Sequence, residues 1–126
     1  MPETSKKILI IEDERLILKA LTEGLKRRKY NIINAENGES GLEMIQSENP
    51  DLVLLDLILP KMNGQEVLNK LKDMGLLEKI PVIVLTNLSD GATFKKCIDM
   101  GARDFIIKSN FSFDEIDKSI RSLIFI

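Results

Sequence analysis

The sequence predicts an open α/β sandwich, five βα units around a parallel sheet, on three observations. Residues 8–11, 52–55 and 82–85 are unbroken apolar runs rich in Ile, Val and Leu, each bounded by polar or turn residues. A strand that is apolar at every position must be covered on both faces, as a parallel sheet between two helical layers is. The segments between the runs are long enough for a helix and two short loops, and strict alternation of strand and helix makes the sheet parallel. Weaker runs at 30–35 and 104–107 supply two edge strands.

The elements follow in chain order. After strand 1, Ile17, Leu21, Gly24 and Leu25 recur at helical spacing. Strand 2 is followed by Gly38-Glu39-Ser40-Gly41, a turn opening the second helix. After strand 3, Val67, Leu68 and Leu71 form the stripe of helix 3, and after strand 4 Phe94, Cys97 and Ile98 form that of helix 4, closed by Gly101. After strand 5, Ser112 with Glu115 three residues on reads as a capping box. It opens a last helix striped by Phe113, Ile116, Ile120, Leu123 and Ile124. With the three fully apolar strands inside, the simplest sheet order is 2-1-3-4-5, the flavodoxin-like (βα)5 three-layer sandwich. The carboxyl ends of strands 1, 3, 4 and 5 then share one rim, around a switch point between strands 1 and 3 where ligands bind.

Composition narrows the chemistry. With 126 residues, the chain reads as one domain, 1–126, with a polar leader at 1–6. The net charge of −2 and the lack of a basic stripe argue against direct nucleic-acid binding. No run has membrane-spanning or signal-peptide length, so the expected location is cytoplasmic, away from membranes. Cys97 is the one cysteine and sits on an apolar stripe, which makes it a core residue. Histidine is absent, which removes imidazole bases, Ser-His-Asp triads and His-bound zinc. The apolar end, Leu123-Ile124-Phe125-Ile126, reads either as the start of a linker or as a dimer contact, placed at 124–126.

The residues ending the rim strands are Glu12 and Asp13 after strand 1, Asp56 after strand 3, Thr86 after strand 4 and Lys108 after strand 5. Each has a plainer role when taken singly: helix cap for Asp13, turn residue for Asp56, β-branched strand residue for Thr86, solvated charge for Lys108. Together they form a set. Three acids crowded in a cleft repel one another unless a cation sits among them, and an all-oxygen, partly hydrated site suits Mg2+. A metal and an ammonium together would let an aspartate act as nucleophile toward a phosphoryl group. Asp56, ending the central strand, is the best placed.

At this point the chain resembles the receiver domain of two-component response regulators, the CheY-like family, over residues 7–123. The most specific stretch is Asp56-Leu57-Ile58-Leu59-Pro60-Lys61-Met62-Asn63-Gly64, which is similar to the family's phosphoacceptor loop. The resemblance implies that Asp56 accepts phosphate from a sensor histidine kinase or a histidine phosphotransfer protein. It implies that Asp13 binds Mg2+ directly, Glu12 binds it through water, and Asp56 with the backbone carbonyl of Ile58 completes the protein ligands. Lys108 would pair with the phosphoryl oxygens, Thr86 would move its hydroxyl onto the phosphoryl group, and Phe105 would turn inward as the aromatic switch. The changed surface, on helix 4, strand 5 and helix 5, would meet a downstream protein target or a second copy in a phosphorylation-dependent homodimer.

The chain departs from the family pattern in three places. Phe105 lacks the hydroxyl of a tyrosine. Ser109 stands where proline is common, so a trans or rearranged loop is expected there. Ile58 and Leu88 are apolar where they border the path of hydrolytic water, which implies a long-lived phosphorylated state. The implied role is a signalling phosphoacceptor, not an enzyme acting on a separate substrate. A dehalogenase-type phosphatase would need an acid where Ile58 stands, and a flavin module would need a phosphate-cradling loop where Glu12-Asp13-Glu14 stands. The remaining alternative is a pseudo-receiver, a scaffold that is not phosphorylated.

Overall fold

A computed structural model describes residues 6–88 and 90–125. Most of the polar leader and Ile126 of the apolar end lie outside the described residues. The strands are β1 (Lys7–Ile11), β2 (Asn31–Ala35), β3 (Leu52–Leu55), β4 (Val82–Thr86) and β5 (Asp104–Ile107). The helices are α1 (Arg15–Lys26), α2 (Gly38–Glu48), α3 (Gly64–Asp73), α4 (Gly91–Met100) and α5 (Phe113–Ile124). All strand pairs are parallel, in the order β2-β1-β3-β4-β5. The three apolar runs are the interior strands and the two weaker ones the edges, as the covering argument requires.

Side chains alternate between two cores, one on each face of the sheet. Leu9, Ile11, Val53, Leu55, Val82 and Val84 pack against α2, α3 and α4. Ile8, Ile10, Leu52, Leu54, Ile83 and Leu85 pack against α1 and α5. Each such residue, fully buried, contributes roughly 1.5–3 kcal/mol, so an interior strand is held from both sides. Cys97 is fully buried in the first core.

The helix starts differ from expectation in informative ways. The reciprocal capping box is at Asn63 and Glu66, opening α3 (2.9 and 3.0 Å). Ser112 makes the first half of a box, its hydroxyl accepting from the Glu115 N–H at 3.1 Å. Asn37 and Asp90 cap α2 and α4 in the same manner, each at 2.8 Å. Asp13 is not a cap: α1 starts from Glu14, whose side chain makes no capping bond. The stripe of α4 is also only partly a core stripe. Cys97 faces inward, while Phe94 is 49% and Ile98 37% exposed. At the chain end Leu123, Ile124 and Phe125 lie half-buried against the α1/α5 core, so much of that apolar surface is covered within the chain.

Candidate functional site

Parallel pairing carries the site residues to one rim. Beyond β1, the Glu12 N–H still donates to Ala35 O (3.0 Å), and beyond β3 the Asp56 N–H donates to Ile11 O (3.1 Å), so the first residue after each strand stays tied to the sheet. Thr86 is the last residue of β4, in register with Ile107, and Lys108 follows directly. Gly64 lets the loop after Asp56 fold back tightly. Its N–H donates to Leu57 O at 3.0 Å, and a Cβ there would collide with Asp56 O and Leu57 Cα.

The centre of the rim is the Lys108 ammonium, with a side chain only 3% exposed. Its Nζ lies 2.9 Å from each of three carboxylate oxygens, Glu12 Oε1, Glu14 Oε1 and Asp56 Oδ2. Glu12 Oε2 accepts from the Glu14 N–H (3.0 Å), and Asp56 Oδ1 accepts from the Ile58 N–H (3.3 Å). Glu12, Asp13 and Asp56 each offer a carboxylate oxygen, all within 4.8 Å of one another, with Asp13 exposed and the other two buried. Burial pushes the Glu12 carboxyl up, and the bonds from Lys108 and the Glu14 N–H offset only part of that. Burial opposes the Lys108 charge, but its bonds to Glu12, Asp56 and Glu14 outweigh burial and hold the ammonium above the ordinary lysine range.

Beside this cluster opens a cleft of about 230 Å³ lined by Asp13, Glu14, Asp56, Ile58, Asn87 and Lys108. The structure thus brings Glu12, Asp13, Asp56, Ile58 and Lys108 together. Thr86 is fully buried just below Asn87, its hydroxyl accepting from the Leu88 N–H at 3.4 Å. Phe105, one strand over, is half-buried and packs edge-on against Phe94, centroids 5.4 Å apart. Residues Lys108–Asn110 form a 3-10 turn with trans peptides, and the Ser109 N–H, which proline would lack, donates to Asn87 Oδ1 (2.9 Å).

Sequence reasoning missed two of these residues. Glu14 follows the acid pair, and only the fold shows that its side chain reaches Lys108. Asn87 follows Thr86, and only the fold shows that it meets the turn after Lys108.

The donor chemistry fits a hard divalent cation. Glu12, Asp13 and Asp56 bring carboxylate oxygens within 4.8 Å of one another, and the Lys108 ammonium beside them already pairs with Glu12, Asp56 and Glu14. The site is thus an acid-rich cleft at the switch point of an open parallel sheet, with a buried lysine at its centre. Residues 8–121 match the family model described as the response regulator receiver domain, and the chain belongs to that family, CheY-like in fold and a component of two-component systems. It is 33% identical over 120 residues to the alkaline phosphatase synthesis transcriptional regulatory protein PhoP of Bacillus subtilis, covering 95% of this chain and 49% of that protein. It is 43% identical over 101 residues to a cyclic di-GMP phosphodiesterase of Thermotoga maritima, covering 80% of this chain and 26% of that protein. Among solved structures, a CheX–CheY complex with BeF3 and Mg2+ from Borrelia burgdorferi superposes with a TM-score of 0.84 at 28% identity, covering 93% of this chain and 87% of that one. The chain spans about half or less of the length of the curated relatives it matches. No helix among the described residues is long and apolar enough to cross a membrane.

Proposed function

We propose that Asp56 is a phosphoacceptor, charged by a histidine-bound phosphoryl group on a sensor kinase or phosphotransfer protein, and that its phosphorylation switches the surface of α4, β5 and α5. The observation that carries this reading is the excess of acids at the rim: three carboxylates pair with the Lys108 ammonium and a fourth, Asp13, lies within 4.8 Å of Glu12 and Asp56, a balance suited to further positive charge. Asp13, Glu12 and Asp56, with the Ile58 carbonyl, would hold Mg2+, with Asp13 the direct exposed ligand and Glu12 acting through water. When bound, the metal supplies charge neutralisation for the carboxylates and for the phosphoryl oxygens.

The chain's own residues do the rest. An Asp56 carboxylate oxygen forms the bond to phosphorus as the donor's P–N bond breaks, the electron pair leaving with the imidazole, which takes up a proton. The Lys108 ammonium and the Ile58 N–H hold the Asp56 carboxylate in place for attack. Thr86 is then drawn from its bond with the Leu88 N–H toward the new acceptor oxygens, and Phe105 turns inward, away from Phe94, into the space that Thr86 leaves. A differential of a few kcal/mol moves such a two-state element from mostly off to mostly on, and a charge-assisted hydrogen bond is of that order. Ile58, 57% exposed, lines the cleft, and Leu88, half-buried, follows Asn87 at its edge; these apolar side chains slow hydrolysis of the acyl phosphate. The target is a protein surface or a second copy. The cytoplasm, where such kinases present their phosphohistidine, is the matching location.

The test is incubation with Mg2+ and acetyl phosphate followed by intact mass measurement. Wild type should gain one phosphoryl group, and neither Asp56→Asn nor wild type in EDTA should. An unchanged gain in Asp56→Asn would move the acceptor elsewhere, and no gain in wild type would favour the unphosphorylated scaffold.

A further inference from the structure

We infer that Glu14 is the group a phosphoryl oxygen displaces from Lys108, so that this side chain sets how readily Asp56 is charged. The inference rests on the phosphoacceptor reading above. An ammonium has three N–H donors and no more. Hydrogen bonds to Glu14 and Asp56 take two of them, and Glu12 Oε1, an ion-pair partner also 2.9 Å from Nζ, crowds the third side. A phosphoryl oxygen that reaches Lys108 therefore competes with these three carboxylates for the ammonium.

The three partners are unequal. The Glu12 side chain is 2% exposed and its other oxygen accepts from the Glu14 N–H, so releasing it would strand a buried carboxylate. Asp56 is the residue that carries the phosphoryl group, held at its other oxygen by the Ile58 N–H. The Glu14 side chain is 57% exposed, makes no other hydrogen bond or ion pair among the described residues, and does not cap the helix it precedes. It alone can return to water at little cost. Its release exchanges hydrogen bonds only, while the covalent step at Asp56 proceeds as written above.

Removing this competitor should favour the charged state. In Mg2+, beryllofluoride, a phosphoryl mimic, should bind Glu14→Gln and Glu14→Ala about fivefold tighter than wild type by calorimetry, the fold-change that an exposed ion pair of this kind is worth. The Ala variant should gain at least as much as Gln, whose amide oxygen still accepts a weaker bond. Phosphate incorporation from acetyl phosphate should quicken in the same order. Glu36→Gln is the control: it removes an equal charge from an exposed residue that pairs with Arg15 at 3.7 Å, and it should leave both measures unchanged. Mg2+ affinity without the mimic should change little in the Glu14 variants, and their urea midpoints should report an intact fold.

Unchanged or weaker beryllofluoride binding in both Glu14 variants overturns the inference, as does an equal gain in Glu36→Gln, which would make the effect bulk charge. A tenfold or larger loss of Mg2+ affinity would make Glu14 a metal ligand and also overturn it. If wild type and Asp56→Asn behave alike toward both probes, the phosphoacceptor reading itself falls. If only the Glu14 variants fail, that reading stands without this one.

Discussion

Two clusters of buried charge in this chain are built to opposite balances. At the rim, three carboxylates pair with one ammonium and a fourth, Asp13, lies within 4.8 Å of Glu12 and Asp56. Between the α1–β2 turn and α5, one buried carboxylate, Asp117, accepts from Tyr30 Oη (2.5 Å), Arg28 Nη1 (3.1 Å) and Arg121 Nε (3.3 Å), while Arg28 also reaches Asp114 at 2.7 Å. Burial acts to raise the Asp117 carboxyl, but these three donors overcome it and hold it below the ordinary range. Burial, reinforced by Asp117, pushes the Tyr30 phenol far up. At the rim burial wins instead, and Glu12 is raised. A cluster whose donors satisfy its acid is finished and serves the fold. One whose acids outnumber its donors is left incomplete, open to a cation.

This contrast predicts effects of different sign and size. The largest should come from Lys108→Met, which leaves Glu12 and Asp56 buried side by side without a cation. Urea unfolding should show a loss of about 3 kcal/mol, part of it recovered by Mg2+. No recovery with Mg2+ would break the link between acid excess and metal binding. Asp117→Ala should cost about 2 kcal/mol, since it strands the Tyr30 hydroxyl, and Mg2+ should recover none of it. Asp13→Asn should go the other way, raising stability by about 1 kcal/mol in EDTA while abolishing the stabilisation by Mg2+. A loss of stability there would mean the rim acids are not in excess.

Smaller effects sharpen the same comparison. Ser109→Pro removes the N–H given to Asn87 and should cost about 1 kcal/mol by thermal unfolding, with Asn87→Ala costing a similar amount. The pH dependence should separate the clusters by sign. Asp117, with its folded pKa below the unfolded one, contributes stability that is complete above the ordinary aspartate range and lost as pH falls through the folded value. Glu12, with its folded pKa raised, binds its proton more readily in the fold, so between its unfolded and folded values stability falls as pH rises. In EDTA, Asp117→Asn should flatten the acid loss, and Glu12→Gln should flatten the fall on the higher side.

Much of this architecture was legible in residue order. The runs at 8–11, 52–55 and 82–85 are apolar at every position because both faces are covered, and that alone placed them inside the sheet. The rim set was legible because strand ends in a parallel sheet meet at one edge, whatever their separation along the chain. The stripe of α4 was less so: Phe94, Cys97 and Ile98 share helical spacing, but α4 presents only Cys97 to the sheet, and spacing does not say how much of a stripe a neighbour will cover. Glu14 was missed because nothing local distinguishes an exposed helix-start glutamate from one that reaches a lysine 94 positions away.

The sequence by itself determined the alternation of elements, the interior strands and which acids, hydroxyl and lysine end them, because hydrophobic periodicity and turn chemistry act over a few residues. Only the tertiary structure decided that Lys108 meets three carboxylates, that Asn87 holds the turn after it, and that donors overcome burial at Asp117 but not at Glu12. Those outcomes depend on distances and burial between elements far apart in the chain, which no local pattern encodes.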